Sequence, residues 1–308
     1  MTTTLSIALG KYPHVAALRD GSVTPEGYEL DFVEFSGPIP GIFRRMTRDL
    51  EFDVSEMAIT TYLTAHEYHK AFTAIPIFVV REFPHRAIVV NEHAGITNPK
   101  DLEGQRVGVR AYTVTTGVWA RGILADQYGV DLDSITWVIA DEEHVKEFEQ
   151  PKNVEYIPDA DLAAMLSAGE IPAGIGVTRG EAENVKPLLT DRAEKEKAWA
   201  ARGIYPINHT VVIANRVLEA HPDAARAITQ AFFAAKEPFT ARLASGAELS
   251  DEEKALAGRR DLVGPDPVPY GIEANRATLE AIVTFAHDQH ILSTAEPIET
   301  YFAEGTEG

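Results

Sequence analysis

The sequence predicts an α/β protein built from two units, and three observations lead to that fold class. Short apolar segments with strand periodicity alternate with segments of helical periodicity along most of the chain. The chain has 308 residues, which is the length of roughly two ordinary domains. Hydrophobic residues make up 45% and charged residues 24% of the chain, a composition typical of a folded protein with a large core.

The individual elements follow from the spacing of apolar residues and from the turn residues between them. Strands are expected where apolar or alternating runs end at glycine, proline or polar turns: 5–9, 28–35, 52–58, 74–80, 85–91, 106–110, 135–140, 174–177 and 209–214. Helices are expected where apolar residues recur at helical spacing: 15–20, 42–49, 60–69, 117–129, 161–168, 194–202, 222–244 and 275–289, with a helical turn at 97–104. Residues 294–308 are expected to fray.

The order of these elements indicates where the two units begin and end. We place the crossings near residues 86–91 and 205–209, so that one lobe holds 1–88 and 208–308 and the other lobe holds 89–207. Alternating strands and helices in each lobe favour mostly parallel sheets. A ligand cleft is expected between the lobes, because domain interfaces commonly hold ligand sites.

Charge and cysteine content exclude several classes of function. The chain has 28 Lys and Arg against 47 Asp and Glu, a net charge of -19, which argues against nucleic-acid or anionic-membrane partners. There is no cysteine, so disulfides, thiolate nucleophiles and Cys-ligated zinc are excluded. No apolar run approaches the ~20 residues of a membrane helix, and the first residues do not read as an export signal. We therefore expect a cytoplasmic protein.

The strongest local signal is a strand that runs through a threonine-rich loop into a helix. Arg110 ends the strand, Tyr112 lies in the loop, and Thr115 and Thr116 precede the helix. Free N–H groups at a helix N-terminus attract an anion, and an arginine can grip a carboxylate with two hydrogen bonds. This pattern predicts a carboxylate site, with plain capping and a solvated Arg110 as the alternative. The acidic stretch 142–144 is expected to be solvated.

Four more polar residues are candidates for catalysis or binding. Arg81 and His85 lie beside one predicted crossing and His209 beside the other, so that the two imidazoles are expected to approach each other. Histidine is the side chain best suited to proton transfer near neutral pH. Glu56 is either a cleft acid or a partner of the next helix N-terminus. A charged surface turn at 81–86 and a core role for His209 are the alternatives.

Aromatic residues fall in the same loops as these polar candidates. Tyr12, Phe83, Tyr112 and Trp119 together suit an aromatic ligand, although each one alone is typical of a core. His66 and His69 do not make a metal motif, since they are three residues apart with the acid misplaced.

Several of these segments, in this order, resemble one known family. They are FDVSEM at 52–57, AIPIF at 74–78, REFPH at 81–85, DLEGQRVGV at 101–109, WARGIL at 119–124, IYPINHTVVI at 204–213 and YGIEANR at 270–276. Together they are similar to the 4,5-dihydroxyphthalate decarboxylases. The loop 10–14 differs from the family pattern, and residues 142–158 form a shorter region than in the family.

The resemblance implies a type II periplasmic-binding-protein-like fold used as an enzyme. It implies decarboxylation of 4,5-dihydroxyphthalate to protocatechuate without an organic cofactor, and leaves a divalent metal and homo-oligomerisation open. Arg81, His85 and His209 match recurrent family positions, while Tyr12 and His14 lie in the divergent loop. A solute-binding or ligand-sensing protein for an aromatic carboxylate is the alternative. A thiamine-pyrimidine-type synthase ranks last, because the chain lacks the cysteines expected of it.

Overall fold

A computed structural model describes residues 2–177 and 182–306, and the chain divides into two compact units. Unit 1 contains Met1–Arg81, Ile207–Leu279 and Glu296–Gly308, and unit 2 contains Glu82–Pro206 and Glu280–Ala295. No described helix is both long and apolar enough to cross a membrane.

Each unit is built on one β-sheet. In chain order the strands are β1 Thr3–Ala8, β2 Tyr28–Phe32, β3 Val54–Ala58, β4 Phe72–Arg81, β5 Ile88–Asn91, β6 Arg106–Val109, β7 Thr136–Ile139, β8 Val154–Tyr156, β9 Ala173–Ile175, β10 Val185–Pro187 and β11 Ile207–Ala214. The sheet of unit 1 has the order β2-β1-β3-β11-β4, and the sheet of unit 2 has the order β10-β5-β9-β6-β7-β8.

Helices flank the strands along the sequence. They are α1 Ala16–Arg19, α2 Pro40–Asp49, α3 Ile59–Glu67, α4 Thr115–Tyr128, α5 Leu162–Ala168, α6 Arg192–Ala201, α7 Asn215–Ala220, α8 Ala224–Ser245, α9 Asp251–Ala257, α10 Arg260–Val263 and α11 Arg276–Asp288. Single 3-10 turns lie at Pro13–Val15, Pro84–Ala87, Pro99–Leu102, Leu132–Ser134, Glu273–Asn275 and Ile298–Tyr301. The α/β class predicted from the sequence is confirmed.

The sheets are mixed, whereas mostly parallel sheets were predicted. Strands β1, β2 and β3 are parallel, but β11 enters antiparallel between β3 and β4. In unit 2, β9, β6, β7 and β8 are parallel, and β5 is antiparallel to both of its neighbours, β9 and β10. The antiparallel pairings in unit 1 all involve β11, which joins that sheet after residues 82–206.

The end of the chain departs from the sequence expectation in two places. Residues 280–295 belong to unit 2, although the sequence placed them in the first lobe. The reason is packing, since Phe285 of α11 lies 5.9 Å from the rings of both Trp119 and Trp199. The predicted fraying is also wrong for the described part of the tail, because Phe302 bridges to Ala74 of β4. Residues 307 and 308 lie outside the described residues.

Candidate active site

The candidate site begins with a carboxylate inside the sheet of unit 1. All five residues of β3 are buried, and Glu56 is one of them, with no exposed surface. Val211 of β11 pairs with Glu56, and His209 pairs with Ala58. Because side chains alternate along strands, this register places Glu56 and His209 on the same face as diagonal neighbours.

Three donors converge on the Glu56 carboxylate. Its Oε2 accepts the Gly10 N–H at 2.8 Å, and its Oε1 accepts the Tyr12 hydroxyl at 2.6 Å. The same Oε1 lies 2.6 Å from Nδ1 of His209. An ionised carboxylate can only accept, so this contact assigns the proton to Nδ1 of His209. Enclosed in this way, Glu56 holds other groups in place and does not itself reach a ligand.

His209 has the opposite character, because part of it remains accessible. Its side chain is 19% exposed, and its ring packs edge-on against Phe43 at 5.0 Å. Among the described residues Nε2 has no hydrogen-bond partner, so this nitrogen is the group of the cluster that can exchange a proton with a ligand. The pairing of β11 with β4 is irregular on both sides of His209, a feature that redirects side chains in sheets.

Tyr12 reaches Glu56 because a glycine lies next to it. A Cβ atom on Gly10 would lie 2.6 Å from Cζ and Oη of Tyr12, so only glycine leaves room for the ring. Burial and the neighbouring Glu56 charge raise the pKa of the Tyr12 phenol, which therefore stays protonated and donates to the carboxylate. Tyr12 is thus a fixed donor in the described structure.

His14 forms the back of this cluster. Its ring stacks on Tyr12 at 5.5 Å with an interplanar angle of 11°, and it also contacts Phe239 and Tyr270. The ring is buried, and neither nitrogen has a hydrogen-bond partner among the described residues. Burial, followed by the charge of Lys236, lowers the pKa of His14 to about 4. The structure therefore places Glu56, His209, Tyr12 and His14 together.

Arg81 makes its hydrogen bonds to other residues of unit 1. This last residue of β4 is buried, and its Nη1 donates to Oδ1 of Asn275 at 2.6 Å and to the Pro269 carbonyl at 3.2 Å. These bonds attach the segment before α11 to the end of β4, a structural role that the sequence did not indicate.

His85 lies in unit 2 and is enclosed there. It is on the 3-10 turn Pro84–Ala87, not on the predicted strand, and it has no exposed surface. Nε2 lies 3.0 Å from Oε1 of Gln127, and the ring packs edge-on against Trp199 at 5.5 Å. Burial lowers the pKa of His85, so its imidazole is held neutral. The expected approach of His85 to His209 stays a prediction.

The predicted carboxylate loop in unit 2 already holds a carboxylate of this chain. Glu143 accepts the N–H groups of Tyr112 at 2.6 Å and Thr113 at 3.2 Å, and also the Thr113 hydroxyl at 2.5 Å. Gln150 donates to the same group. The expectation that residues 142–144 are solvated is wrong for Glu143 and His144, which are both buried. Two backbone N–H groups in succession form a natural anion cradle, and Glu143 fills this one.

The other residues predicted for this loop are divided between surface and core. Arg110 is 40% exposed and pairs with Asp141 at 2.9 Å. Thr115 is the buried first residue of α4, whose N-cap is Val114, not the expected threonine, and Thr116 is half-buried. Trp119 is fully buried in the aromatic cluster of unit 2.

Beneath this loop lies a cation that the sequence did not single out. Arg121 is fully buried, and it donates to Oε1 of Gln289 at 2.6 Å and to the Tyr112 carbonyl at 2.5 Å. Tyr112 stacks under its guanidinium at 4.1 Å and donates its hydroxyl to the Gln289 carbonyl. Tyr112 is therefore part of a buried network. Helical spacing gave no signal for this network or for Glu143.

Within residues 2–177 and 182–306, no group of three or more His, Asp or Glu residues is arranged to hold a metal ion. The residues that the structure adds to the candidate site are Gly10 and Phe43. A glycine directly after the first strand was the available sequence signal for Gly10, and Phe43 had none beyond its apolar character.

Comparison with known proteins finds relatives that are similar in sequence and solved structures that share the fold. The chain is 30% identical to 4,5-dihydroxyphthalate decarboxylase from Comamonas testosteroni over 318 aligned residues, covering 96% of each chain. It is 33% identical to 4,5-dihydroxyphthalate decarboxylase from Pseudomonas putida over 181 residues, covering 56% of this chain and 69% of that protein. No family model matches the chain.

Solved structures with the same fold include enzymes and binding proteins. The desulfurization enzyme DSZB, in a mutant complex with biphenyl-2-sulfinic acid, has a TM-score of 0.58 at 15% identity, covering 99% of this chain and 98% of that one. The periplasmic aliphatic sulphonate binding protein SsuA from Escherichia coli has a TM-score of 0.56 at 13% identity, covering 98% and 92%. These matches confirm the predicted periplasmic-binding-protein-like fold.

Proposed function

This chain belongs to the 4,5-dihydroxyphthalate decarboxylase family, and we propose that it removes one carboxylate from 4,5-dihydroxyphthalate to give protocatechuate. The observation that carries the proposal is the Glu56–His209 pair, in which a buried carboxylate orients an imidazole that keeps one nitrogen accessible. That arrangement suits proton transfer to or from a ring carbon or a phenol.

The substrate itself supplies most of the electronic driving force. One of its hydroxyl groups is para to the departing carboxylate, so loss of the phenolic proton pushes electron density onto the ring carbon that bears the carboxylate. That carbon accepts a proton, the bond to the carboxylate then breaks, and its electron pair restores the aromatic ring. The balance is one proton taken up and one CO₂ released for each carboxylate consumed, so no oxidant or reductant is required.

In this proposal His209 Nε2 delivers the proton to the ring carbon. Glu56 keeps the imidazole oriented through Nδ1 and stabilises its protonated form by its own negative charge. Tyr12 and the Gly10 N–H hold Glu56 in turn, so the carboxylate has little freedom to rotate. Glu56 is therefore a positioning residue, and His209 is the proposed catalytic residue.

Arg110 and Thr116 stay predicted ligands of the substrate carboxylates, since both are partly exposed. Thr115 is buried, so its predicted role as a ligand is not part of this proposal. The proposed site does not include Arg81, His85 or Trp119, because each is buried in contacts within its own unit. Tyr112 serves the buried Arg121 network. The predicted cleft, the cytoplasmic location and a homo-oligomer stay predictions.

The direct test is product formation by the purified chain. Incubation with 4,5-dihydroxyphthalate should release CO₂ and protocatechuate in equal amounts, and His209→Asn should lower the rate by about 10²–10⁴-fold, the usual contribution of a general acid. Parallel reactions with a chelator test whether a divalent metal contributes. A panel of other hydroxylated phthalates and benzoates tests the identity of the substrate.

The second candidate is a binding protein without catalysis, and its support is the fold shared with the sulphonate-binding protein. The same incubation separates the two functions. Tight binding of 4,5-dihydroxyphthalate with no CO₂ release over hours would reject the decarboxylase and establish the binding protein.

A further inference from the structure

Asn208 precedes His209 at an irregular point of β11. In the ladder with β4, Ile207 lies opposite Arg81 and His209 lies opposite Val80, so Asn208 is an extra residue without a partner on β4. On the other side, the pairing of β11 with β3 runs from His209 to Ile213 and does not include Asn208. An extra residue of this kind is a β-bulge, and bulges occur frequently beside active sites, where they redirect side chains.

The side chain of Asn208 carries an unused acceptor. Its Oδ1 is buried and has no hydrogen-bond partner among the described residues, while the residue as a whole is half-buried. Burying an amide oxygen without a partner is unfavourable, and such atoms in folded proteins call for an explanation. The adjacent Glu56 cluster, by contrast, satisfies its carboxylate completely.

We propose that Asn208 binds a ring hydroxyl of the substrate and makes the site select hydroxylated aromatic acids over those without a hydroxyl. This inference rests on the proposed function, because it takes the ring of a hydroxylated phthalate as the ligand beside His209. A carboxamide offers both an acceptor for a phenolic O–H and donors for a phenolate oxygen. The reacting hydroxyl passes through both states, so one side chain serves it throughout.

A buried acceptor without a partner, such as Oδ1 of Asn208, can make a site selective for ligands that carry a hydroxyl group. An apolar pocket binds a ligand with a hydroxyl and the same ligand without it with similar affinity. A site with a buried hydrogen-bonding group binds the ligand without the hydroxyl much more weakly, because that group is left without a partner. The Oδ1 atom of Asn208 has no hydrogen-bond partner among the described residues. A hydroxylated ring removes that deficit on binding, and an unhydroxylated ring of the same shape does not.

The test compares two ligands in variants that do not turn over. In a His209→Asn background, the affinities of 4,5-dihydroxyphthalate and phthalate are measured by calorimetry with and without Asn208→Leu. We expect Asn208→Leu to weaken dihydroxyphthalate binding by ~10- to 100-fold and to change phthalate binding by less than about twofold. The melting temperature should not fall, because the replaced oxygen forms no bond within the chain.

The matched control is Thr210→Val, on the other side of His209. The hydroxyl of Thr210 donates to the Ile75 carbonyl at 3.2 Å, so its loss should lower the melting temperature and leave the ratio of the two affinities unchanged. Equal weakening of both ligands by Asn208→Leu, or no weakening of either, would overturn the proposal. If the parent enzyme releases CO₂ but Asn208→Leu does not change the ratio of dihydroxyphthalate to phthalate affinity, only the selectivity proposal fails. If the ratio responds but CO₂ is never released, only the decarboxylase proposal fails.

Discussion

Replacing Glu56 by glutamine tests whether this carboxylate orients the proposed proton donor. The carboxylate accepts hydrogen bonds from Gly10, Tyr12 and His209 at 2.6–2.8 Å. Glutamine has nearly the same shape, but it carries no charge and turns an NH₂ group towards one of these three donors. At least one bond is therefore lost, and the imidazolium loses its counter-charge.

The magnitude follows from the bonds that glutamine cannot make. A hydrogen bond to a charged group is worth about 1.5–3 kcal/mol, and a buried donor without a partner costs about 1–3 kcal/mol. Taking about 2–4 kcal/mol for the combined effect on the transition state, kcat should fall by about 30- to 1,000-fold, at about 1.4 kcal/mol for each factor of ten. KM should stay within about threefold, because Glu56 has no exposed surface with which to contact a substrate.

The assay is steady-state CO₂ release across pH 6–9, with Asp53→Asn as the matched control. Asp53 is a carboxylate that immediately precedes β3, and it accepts hydrogen bonds from Ser6 and Arg216. Both variants should melt at lower temperature, but only Glu56→Gln should lose kcat. A folded Glu56→Gln enzyme with kcat within threefold of the parent would refute the orienting role of Glu56.

Three further predictions concern the surroundings of this cluster. The pKa of the His14 imidazole is about 4 in the folded chain and near 6.5 in the unfolded chain. Between pH 6.5 and 4 only the unfolded chain binds a proton at His14, so the free energy of unfolding should fall by about 1.4 kcal/mol for each pH unit below 6.5. His14→Phe should therefore lose about 2 kcal/mol less than the parent in urea melts compared at pH 7.5 and 5, and identical losses would contradict this reasoning. Gly10→Ala places a Cβ atom 2.6 Å from the Tyr12 phenol, so kcat should drop at least about tenfold, and an unchanged kcat would show that the ring is not confined. Glu143→Ala removes the acceptor that Glu143 offers to the N–H and hydroxyl of Thr113, so the free energy of unfolding should fall by about 3 kcal/mol, with Glu143→Gln intermediate. Equal stability of all three proteins would exclude the anion cradle.

The sequence predicts the strands that hold the site better than it predicts the contacts. The apolar run around Glu56 and the run after His209 were both correctly expected to be strands, because local periodicity is enough to identify them. Their register was not predictable, because β11 joins β3 and β4 only across an interval of more than a hundred residues. Without that register, the diagonal meeting of Glu56 and His209 has no local signature.

The surroundings of charged and polar residues are harder to predict from the sequence than the strands and helices. Residue type and position suggest Arg81 and His85 as site residues, but both are buried in contacts with Asn275 and Gln127, which are distant in sequence. Glu143 was expected in solvent because it lies in an acidic stretch, yet it is buried by backbone donors from a different loop. Hydropathy patterns describe apolar burial, and they carry no information on which polar groups find partners inside.

The order of strands in unit 1 has a consequence for biosynthesis. Strand β11 lies between β3 and β4, so the first sheet has a central gap until residue 214 has left the ribosome. Chains are made from the N-terminus at ~5–20 residues per second, and long-range pairing closes slowly. A nascent chain that ends before β11 therefore exposes the flanks of β3 and β4, and is prone to aggregation or chaperone capture. The sheet of unit 1 cannot be completed before the intervening residues have been synthesised, and the proposed catalytic residue His209 lies on the strand that completes it.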